Sequence, residues 1–291
     1  MKMKLWSQNS GDAGAISVSG RATGWQKPAA TERKREGNTA LLIGVMQWFG
    51  ELAEFCGRVV KASVTRPFEF KELVRQMDEI GAKSLPLVAL AGAAIGVVLS
   101  LHTRDSLIRF GARSMLPALI VLSIVKESGP IITALVVSGR VGAGIGAELG
   151  SMKVTEQIDA IEASAVNPYK FLAATRVAAC MFMLPLLTIV ADFCGIVAGW
   201  LTNAMAESMP FKLFLNYGLA QADFADLLPA TFKTVVFGFI IGVIGCFQGM
   251  RATGGTEGVG RASKSAVMLA SLFVILADVV LVRLIITFFP S

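Results

Sequence analysis

Charged side chains interrupt the most apolar stretch of this chain. Residues 125–150 read VKESGPIITALVVSGRVGAGIGAELG and contain Lys126, Glu127, Arg140 and Glu148. A charge at membrane depth costs about 2.5–3.5 kcal/mol on insertion scales, so such a side chain faces a partner, a cavity or the membrane interface. Lys126 and Glu127 are adjacent and point about 100° apart on a helix, which makes them poor partners for each other.

Two interpretations of these charges remain open. They could form buried structural ion pairs, or they could line a cavity for an amphipathic substrate. The candidate partners lie in other apolar segments and are Asp192, Lys233, Asp278 and Arg283.

The chain offers little for enzymatic chemistry. His102 is its only histidine, so neither a Ser-His-Asp arrangement nor a histidine-based metal site is expected. GTEGVGRAS (255–263) has the glycine spacing of a phosphate-binding loop but lacks the Lys-Ser/Thr pair and a preceding strand. The four cysteines are scattered through apolar segments without CxxC spacing, which favours small buried hydrophobic residues.

Composition indicates an integral membrane protein. The 291 residues are 54% hydrophobic and 16% charged, whereas soluble domains carry about 25% charged residues. The net charge of +6 is spread over the N-terminal region and the short loops, which suits membrane orientation better than binding to nucleic acid.

The N-terminal region divides in two. Residues 1–38 are polar and aperiodic and predict a disordered cytoplasmic tail, followed by a membrane domain over 39–291. Residues 41–64 begin that domain with an amphipathic pattern, since apolar side chains recur at helical spacing from Val45 to Val60. We expect this helix to lie in the membrane interface, with a first spanning helix as the alternative.

Five spanning helices are predicted in the remainder, which makes the fold class all-α. They cover about 84–101, 115–150, 171–201, 227–248 and 266–289. The second is roughly 54 Å long if fully helical, which exceeds the ~30 Å hydrocarbon core, so it must tilt, bend at Pro130 or project from the membrane.

Basic residues predict the orientation. The connections after the second and fourth spans carry several of them, whereas 202–226 has only Lys212. This places the N-terminus on the cytoplasmic side of the membrane and the C-terminus on the outer side. The 102–114 loop is an exception with three arginines, which could meet lipid phosphates or simply be solvated.

Glycines in the apolar segments follow a four-residue spacing. Gly142, Gly146 and Gly150 make two successive G-x-x-x-G steps with Gly139 nearby, and Gly92 and Gly96 repeat the pattern in the first span. Such stripes favour close packing of helices. The polar segment 155–164 follows, with Thr155 as the expected N-cap, and a helix this short should dock on a partner.

The stretch KESGPIITALVVSGRVGAGIGAELGSMKVTEQIDAIEASAVNPYKFLAATRVAA resembles the signature region of the MlaE-type permease family. The E-x-G-P, G-R-x-G, A-E-x-G-x-M and T-E-Q-I motifs occur in this order, and the resemblance covers about residues 41–290. Thr175-Arg176 stands where family members commonly have Pro-Arg. The family comprises the membrane subunits of lipid-transporting ABC systems that work with MCE proteins.

The resemblance implies a homodimer in the bacterial inner membrane that moves phospholipid to or from a periplasmic MCE protein and contributes to outer-membrane lipid asymmetry. It implies no catalysis and no cofactor in this chain, because ATP and Mg are bound by a partner ATPase; a small STAS-domain protein is a further candidate partner. Segment 155–164 becomes the ATPase-coupling helix, with contacts at Glu156, Gln157, Asp159 and Glu162. The implied lipid-binding positions are Leu99, Leu107, Lys126, Glu127, Ser128 and Arg75.

Two other functions remain as alternatives. A stand-alone membrane enzyme acting on lipids would need a convergent catalytic set. An ion-driven secondary transporter typically shows internal repeats and broken helices. If the activity depends on ATP that is hydrolysed by a second polypeptide, the ABC permease is distinguished from both alternatives.

Overall fold

The structure is a computed structural model, and it describes residues 30–64, 69–207, 209–220 and 224–288. Residues 1–29, most of the predicted tail, lie outside the described residues. Two compact units are distinguished, Met1–Phe49 and Gly50–Ser291. In the first unit, residues 30–49 are helical. The helix begins at Ala30 rather than at residue 41, and the intervening ATERKREGNTA is rich in strong helix formers.

Almost all of the described residues lie in helices, ten of which are α-helices, and no strand occurs among them. The ten α-helices are α1 Ala30–Val64, α2 Phe70–Arg109, α3 Leu116–Ser123, α4 Gly129–Val137, α5 Ala143–Val154, α6 Gln157–Ala163, α7 Thr175–Glu207, α8 Phe211–Leu219, α9 Phe224–Met250 and α10 Gly255–Phe288. A 3₁₀ turn at Arg113–Met115 precedes α3.

Among the described residues, five helical stretches are long and apolar enough to cross a membrane, which confirms the all-α membrane fold. They are span 1 Phe70–Arg109, span 2 Leu116–Val154, span 3 Tyr169–Met205, span 4 Pro229–Met250 and span 5 Gly255–Thr287. Most extend beyond the predicted boundaries. Hydropathy identifies only the apolar part of a helix, whereas polar turns such as those around Glu72 and Glu257 continue it outside the hydrocarbon.

Span 2 is not a regular α-helix. Its three α-helical parts, α3, α4 and α5, are joined by π-helical segments at Ile124–Ser128 and Ser138–Gly142. A third π-helical segment, Tyr169–Ala174, begins span 3. Widened turns of this kind occur mostly as short insertions and frequently at functional sites.

Span 4 is the central helix of the bundle. It packs against α7, α5 and α10, and 67% of its most apolar window is buried, compared with 17% for span 5. The outer face of α10 is correspondingly apolar and exposed, with Leu272, Leu276 and Val279 on the surface. In a membrane such a face contacts lipid or another helix rather than water.

The segment 202–226, treated as a loop in the sequence analysis, contains the short helix α8. Phe214 and Gly218 are its buried residues, and the helix packs on α3. A Cβ at Gly218 would come within 2.5 Å of the Val121 side chain, so glycine permits this close approach.

Candidate functional site

The first π-helical segment contains two of the charged residues that interrupt the apolar sequence. Lys126, Glu127 and Ser128 all lie within Ile124–Ser128, directly before Pro130. Proline has no N–H, so the Lys126 carbonyl lacks its ordinary α-helical donor. Lys233 of span 4 supplies a replacement, since its Nζ donates to the Lys126 oxygen at 3.3 Å.

Lys233 is the centre of a buried ion network that joins three spans. Its Nζ lies 2.9 Å from Glu127 Oε2 in span 2 and 2.8 Å from Asp278 Oδ1 in span 5. The Lys233 side chain is 1% exposed, Asp278 11% and Glu127 49%. Two of the four predicted partners of the span 2 charges, Lys233 and Asp278, are thus found in one network. Pairing offsets the cost of burying the ammonium group.

An apolar cluster precedes these charges along span 2. Its buried members are Leu116, Ile120, Val121, Ile124 and Phe214. Leu99 and Leu107 of span 1 are partly buried and pack against it, as do Val125, Ile196, Trp200 and Met209. Five of the six predicted lipid-binding residues thus lie at the cluster or within four residues of its member Ile124, since Lys126, Glu127 and Ser128 follow Ile124 along span 2.

Arg75 is the exception. It lies in α2, 24 residues before Leu99, or about 36 Å away along the helix at 1.5 Å per residue. Its side chain is 74% exposed and pairs at 3.6 Å with Glu72, which is 17% exposed. The structure therefore does not bring Arg75 together with the other five residues.

The glycine stripes lie at helix contacts. Gly92 and Gly96 face the backbone of Ala191 and Gly195, so spans 1 and 3 approach there more closely than any side chain would allow. Gly146 faces α10, where an added Cβ would lie 3.1 Å from the Ala266 Cβ. Gly150 faces the connection before α10, where an added Cβ would lie 3.3 Å from the Ala252 Cβ. Gly142 is buried in looser surroundings, and Gly139 is exposed with no neighbour within 4 Å of an added Cβ.

The predicted coupling segment forms α6, a short helix with one buried anchor, Ile158. The four predicted ATPase contacts, Glu156, Gln157, Asp159 and Glu162, are all exposed. Asp159 pairs with Lys153 of α5 at 2.7 Å. The exposed surface of α6 is thus polar and acidic.

The prediction that Thr155 caps this helix is wrong. The N-cap is Glu156, which has a left-handed backbone at φ 59°. Thr155 follows α5 directly, and its hydroxyl donates at 2.8 Å to the Ser151 carbonyl, which also accepts the Thr155 backbone N–H at 3.0 Å. The hydroxyl therefore serves the preceding helix.

Sequence comparison identifies the family. The profile described as Permease MlaE matches residues 73–284, a region that includes the ion network, the apolar cluster and α6. The chain belongs to the MlaE permease family. The match begins after α1 and covers all five spans.

Relatives of this MlaE-family permease are named as transporter subunits. A probable ABC transporter permease protein of Rickettsia typhi is 33% identical over 252 residues, which is 85% of this chain and 97% of the relative. One from Synechocystis sp. is 33% identical over 72% of this chain and 79% of the relative. The chloroplastic protein TRIGALACTOSYLDIACYLGLYCEROL 1 of Arabidopsis thaliana is 31% identical over 77% of this chain and 64% of its own length. This chain is a multi-pass permease subunit of an ABC transporter, which implies a partner ATPase.

Two polar contacts of the MlaE-family chain escaped the sequence analysis. Arg140, in the second π-helical segment, donates to Ser84 of span 1 at 2.7 Å. Arg176, with a side chain only 3% exposed, pairs with Glu148 of span 2 at 2.7 Å and also donates to the Leu172 carbonyl. The signal was present in each case as an arginine within an apolar helix, but the distant partner could not be chosen from the chain alone.

Proposed function

We propose that this permease subunit carries phospholipid between the bacterial inner membrane and a periplasmic MCE protein. The observation that carries the proposal is the junction between the apolar cluster at Leu99 and Leu107 and the charged turn at Lys126–Ser128. A phospholipid needs both environments, because its chains bury apolar surface while its headgroup requires charged or hydrogen-bonding partners. Glu127 is half exposed beside this junction and is held by Lys233.

The proposal assigns α6 to contact with the cytoplasmic ATPase. Its exposed contacts are Gln157, Asp159 and Glu162, with Glu156 at the start of the helix. Span 2 runs from the charged turn into α5, and α6 follows after two residues. One continuous stretch of chain therefore links the lipid region to the ATPase contact. The homodimer, the MCE partner and a STAS-domain partner rest on the family resemblance.

Purification of the tagged chain from native membranes in mild detergent tests this function. We expect an ATPase and an MCE protein to co-purify, with phospholipid detected by mass spectrometry of the extract. Glu127→Gln should lower the bound phospholipid by about twofold or more, since it removes a charge from the headgroup environment. The matched control is Glu257→Gln, which changes an exposed carboxylate at the start of α10.

Recovery of the chain without an ATPase, even after cross-linking, would overturn the transporter subunit itself. Recovery with an ATPase but with no phospholipid above the level of a control membrane protein would overturn only the substrate. The stand-alone enzyme and the ion-driven transporter both predict activity without ATP. Neither is favoured by the described site, where the buried charges form an ion network across three spans.

A further inference from the structure

A polar groove lies beside α1, away from the lipid region described above. Its larger cavity has a volume of about 570 Å³ and is bordered by the α1 residues Arg58 and Lys61 and by residues 162–169. A smaller cavity of about 180 Å³ adjoins it and shares Arg58 and Tyr169, with Phe247 and Arg251 on its far side. We call the two cavities together the α1 groove.

The α1 groove is built on an aromatic base. The ring of Phe55 lies 5.7 Å from that of Tyr169 and 5.5 Å from that of Phe247. These contacts join α1 to the start of span 3 and to the end of span 4. Phe55 and Val59 are buried in this contact. Tyr169 begins span 3 and Met250 ends span 4, so the groove lies at one end of these two spans. Tyrosine is enriched where spans leave the hydrocarbon, and basic residues are enriched in the cytoplasmic connections.

Most charges of the groove are already paired. Arg58 Nη2 donates to Glu54 at 2.6 Å and Nη1 to the Tyr169 hydroxyl at 3.1 Å, and Arg251 pairs with Glu51. Both hydrogen bonds hold the pKa of the Arg58 guanidinium above its usual range. Arg58 therefore provides a fixed positive charge between the two cavities.

Lys61 and Glu162, by contrast, are charged residues of the groove without a charged partner among the described residues. Both border the larger cavity and both are exposed. Neither has an ion pair or side-chain hydrogen bond to any residue that the structure describes. The cavity thus presents one ammonium and one carboxylate that are available to a ligand, together with the exposed apolar side chain of Val166.

The wall of the cavity contains a strained turn. Ala165 has a left-handed backbone at φ 61°, a conformation that costs a non-glycine residue about 1–2 kcal/mol. Hydrogen bonds from Ala165 N to Glu162 O and from Val166 N to Ile161 O, at 3.0 and 3.2 Å, close the end of α6 around it. This closure fixes where Glu162 and Val166 stand relative to the cavity.

We propose that the α1 groove binds the headgroup of a zwitterionic phospholipid, of the phosphoethanolamine class, from the adjacent membrane leaflet. The phosphate is placed at Lys61 and Arg58, the ammonium at Glu162, and an acyl chain along Val166. A headgroup with both charges satisfies both unpaired side chains, whereas a purely anionic headgroup leaves Glu162 opposed to the ligand. The site is separate from the transported lipid at Lys126–Ser128, and it reassigns Glu162 to the lipid headgroup, which leaves Glu156, Gln157 and Asp159 as the proposed ATPase contacts.

The test uses the intact transporter in nanodiscs that contain phosphatidylethanolamine and phosphatidylglycerol, with bound lipid counted by native mass spectrometry. Lys61→Ala should weaken retention of both lipids about fivefold, because it removes a phosphate contact. Glu162→Ala should weaken retention of phosphatidylethanolamine alone. Lys61→Arg should retain both. The matched controls are Lys264→Ala and Glu257→Ala, exposed residues of α10 that lie outside the groove.

The proposal is overturned if Lys61→Ala and Glu162→Ala retain the same lipids as the two controls. Equal loss of both lipids in Glu162→Ala would also overturn it, because the carboxylate would then have no headgroup preference. Loss of the ATPase with unchanged lipid would assign the groove to the protein partner instead. In every case Glu127→Gln reports separately on the transported lipid, so failure here leaves the transport function untouched.

Discussion

At the scale of single residues, Lys233 accounts for the Glu127 carboxylate of span 2. It is 1% exposed and contacts Glu127, Asp278 and the Lys126 carbonyl. Removal of one member from a buried ion network leaves uncompensated charge, which costs more than removal of the whole network. Lys233 is thus important because its loss would leave the carboxylates of Glu127 and Asp278 without a cation.

We predict that Lys233→Met lowers the free energy of unfolding by about 3–5 kcal/mol, because Asp278 and Glu127 lose their cation. The triple variant Lys233→Met, Glu127→Gln, Asp278→Asn should recover part of this loss, since no charge remains unpaired. The measurement is the apparent melting temperature in detergent of the single and triple variants. A triple variant less stable than Lys233→Met would contradict the prediction.

The residue scale also shows what the sequence could predict. A lysine or aspartate inside an apolar helix is visible in the sequence, so Lys233 and Asp278 could be named as candidate partners; their pairing with Glu127 required the packing of three helices. The cap at Glu156 could not be foreseen, because Thr155 is equally suited to serve the helix before it. Arg75 was placed with the lipid residues by resemblance, and the length of α2 separates them.

At the scale of elements, glycine stripes were predictable and π-helical segments were not. G-x-x-x-G spacing is a property of the sequence, and Gly92 and Gly96 do lie against Ala191 and Gly195. A π-helical turn arises when backbone hydrogen bonds shift from the fourth to the fifth residue along the chain, which many sequences permit. Pro130 was the only sequence feature that indicated an irregularity near the first π-helical segment. The helix α8 was missed because nine residues give too short a periodic pattern beside a polar segment.

Gly96→Ala should disrupt the contact between spans 1 and 3. An added Cβ would overlap the Gly195 carbonyl oxygen, and backbone on both sides would have to move. We expect a destabilisation of about 1–3 kcal/mol, typical of overpacking, read as a lower apparent melting temperature and a lower monodisperse yield. Gly144→Ala is the matched control, because an added Cβ there meets no atom within 4 Å; equal loss in both variants would refute the packing argument.

The exposed surface of α6 carries the second prediction at this scale. Asp159→Lys should reduce recovery of the ATPase about tenfold in co-purification, because it reverses the charge of an exposed contact and places two lysines together at Lys153. Glu257→Lys makes the same charge change at an exposed position of α10 and should leave recovery unchanged. If both variants retain the ATPase equally, α6 is not the contact surface.

At the scale of the whole molecule, span 2 connects the proposed lipid region to the proposed ATPase contact at α6. Glu127 and the end of α5 at Val154 are 27 residues apart, which is about 40 Å along a helix at 1.5 Å per residue. The Lys233 network ties the first end of this path to spans 4 and 5. We propose that a displacement of α6 reaches the charged turn through α5 and α4 and so couples the ATPase to the lipid.

This path has a direction only if the chain is oriented as the basic residues predict. An odd number of spans places the two ends of the chain on opposite sides of the membrane. The three arginines of residues 102–114 are the basic residues that favour the opposite orientation. We predict that Asp105→Cys, in a background with the four natural cysteines replaced by alanine, is labelled by a membrane-impermeant maleimide from the periplasm. Glu257→Cys should be labelled only after the membrane is opened. Both positions are exposed, so the reverse pattern would place α6 in the periplasm, where no ATPase could bind it.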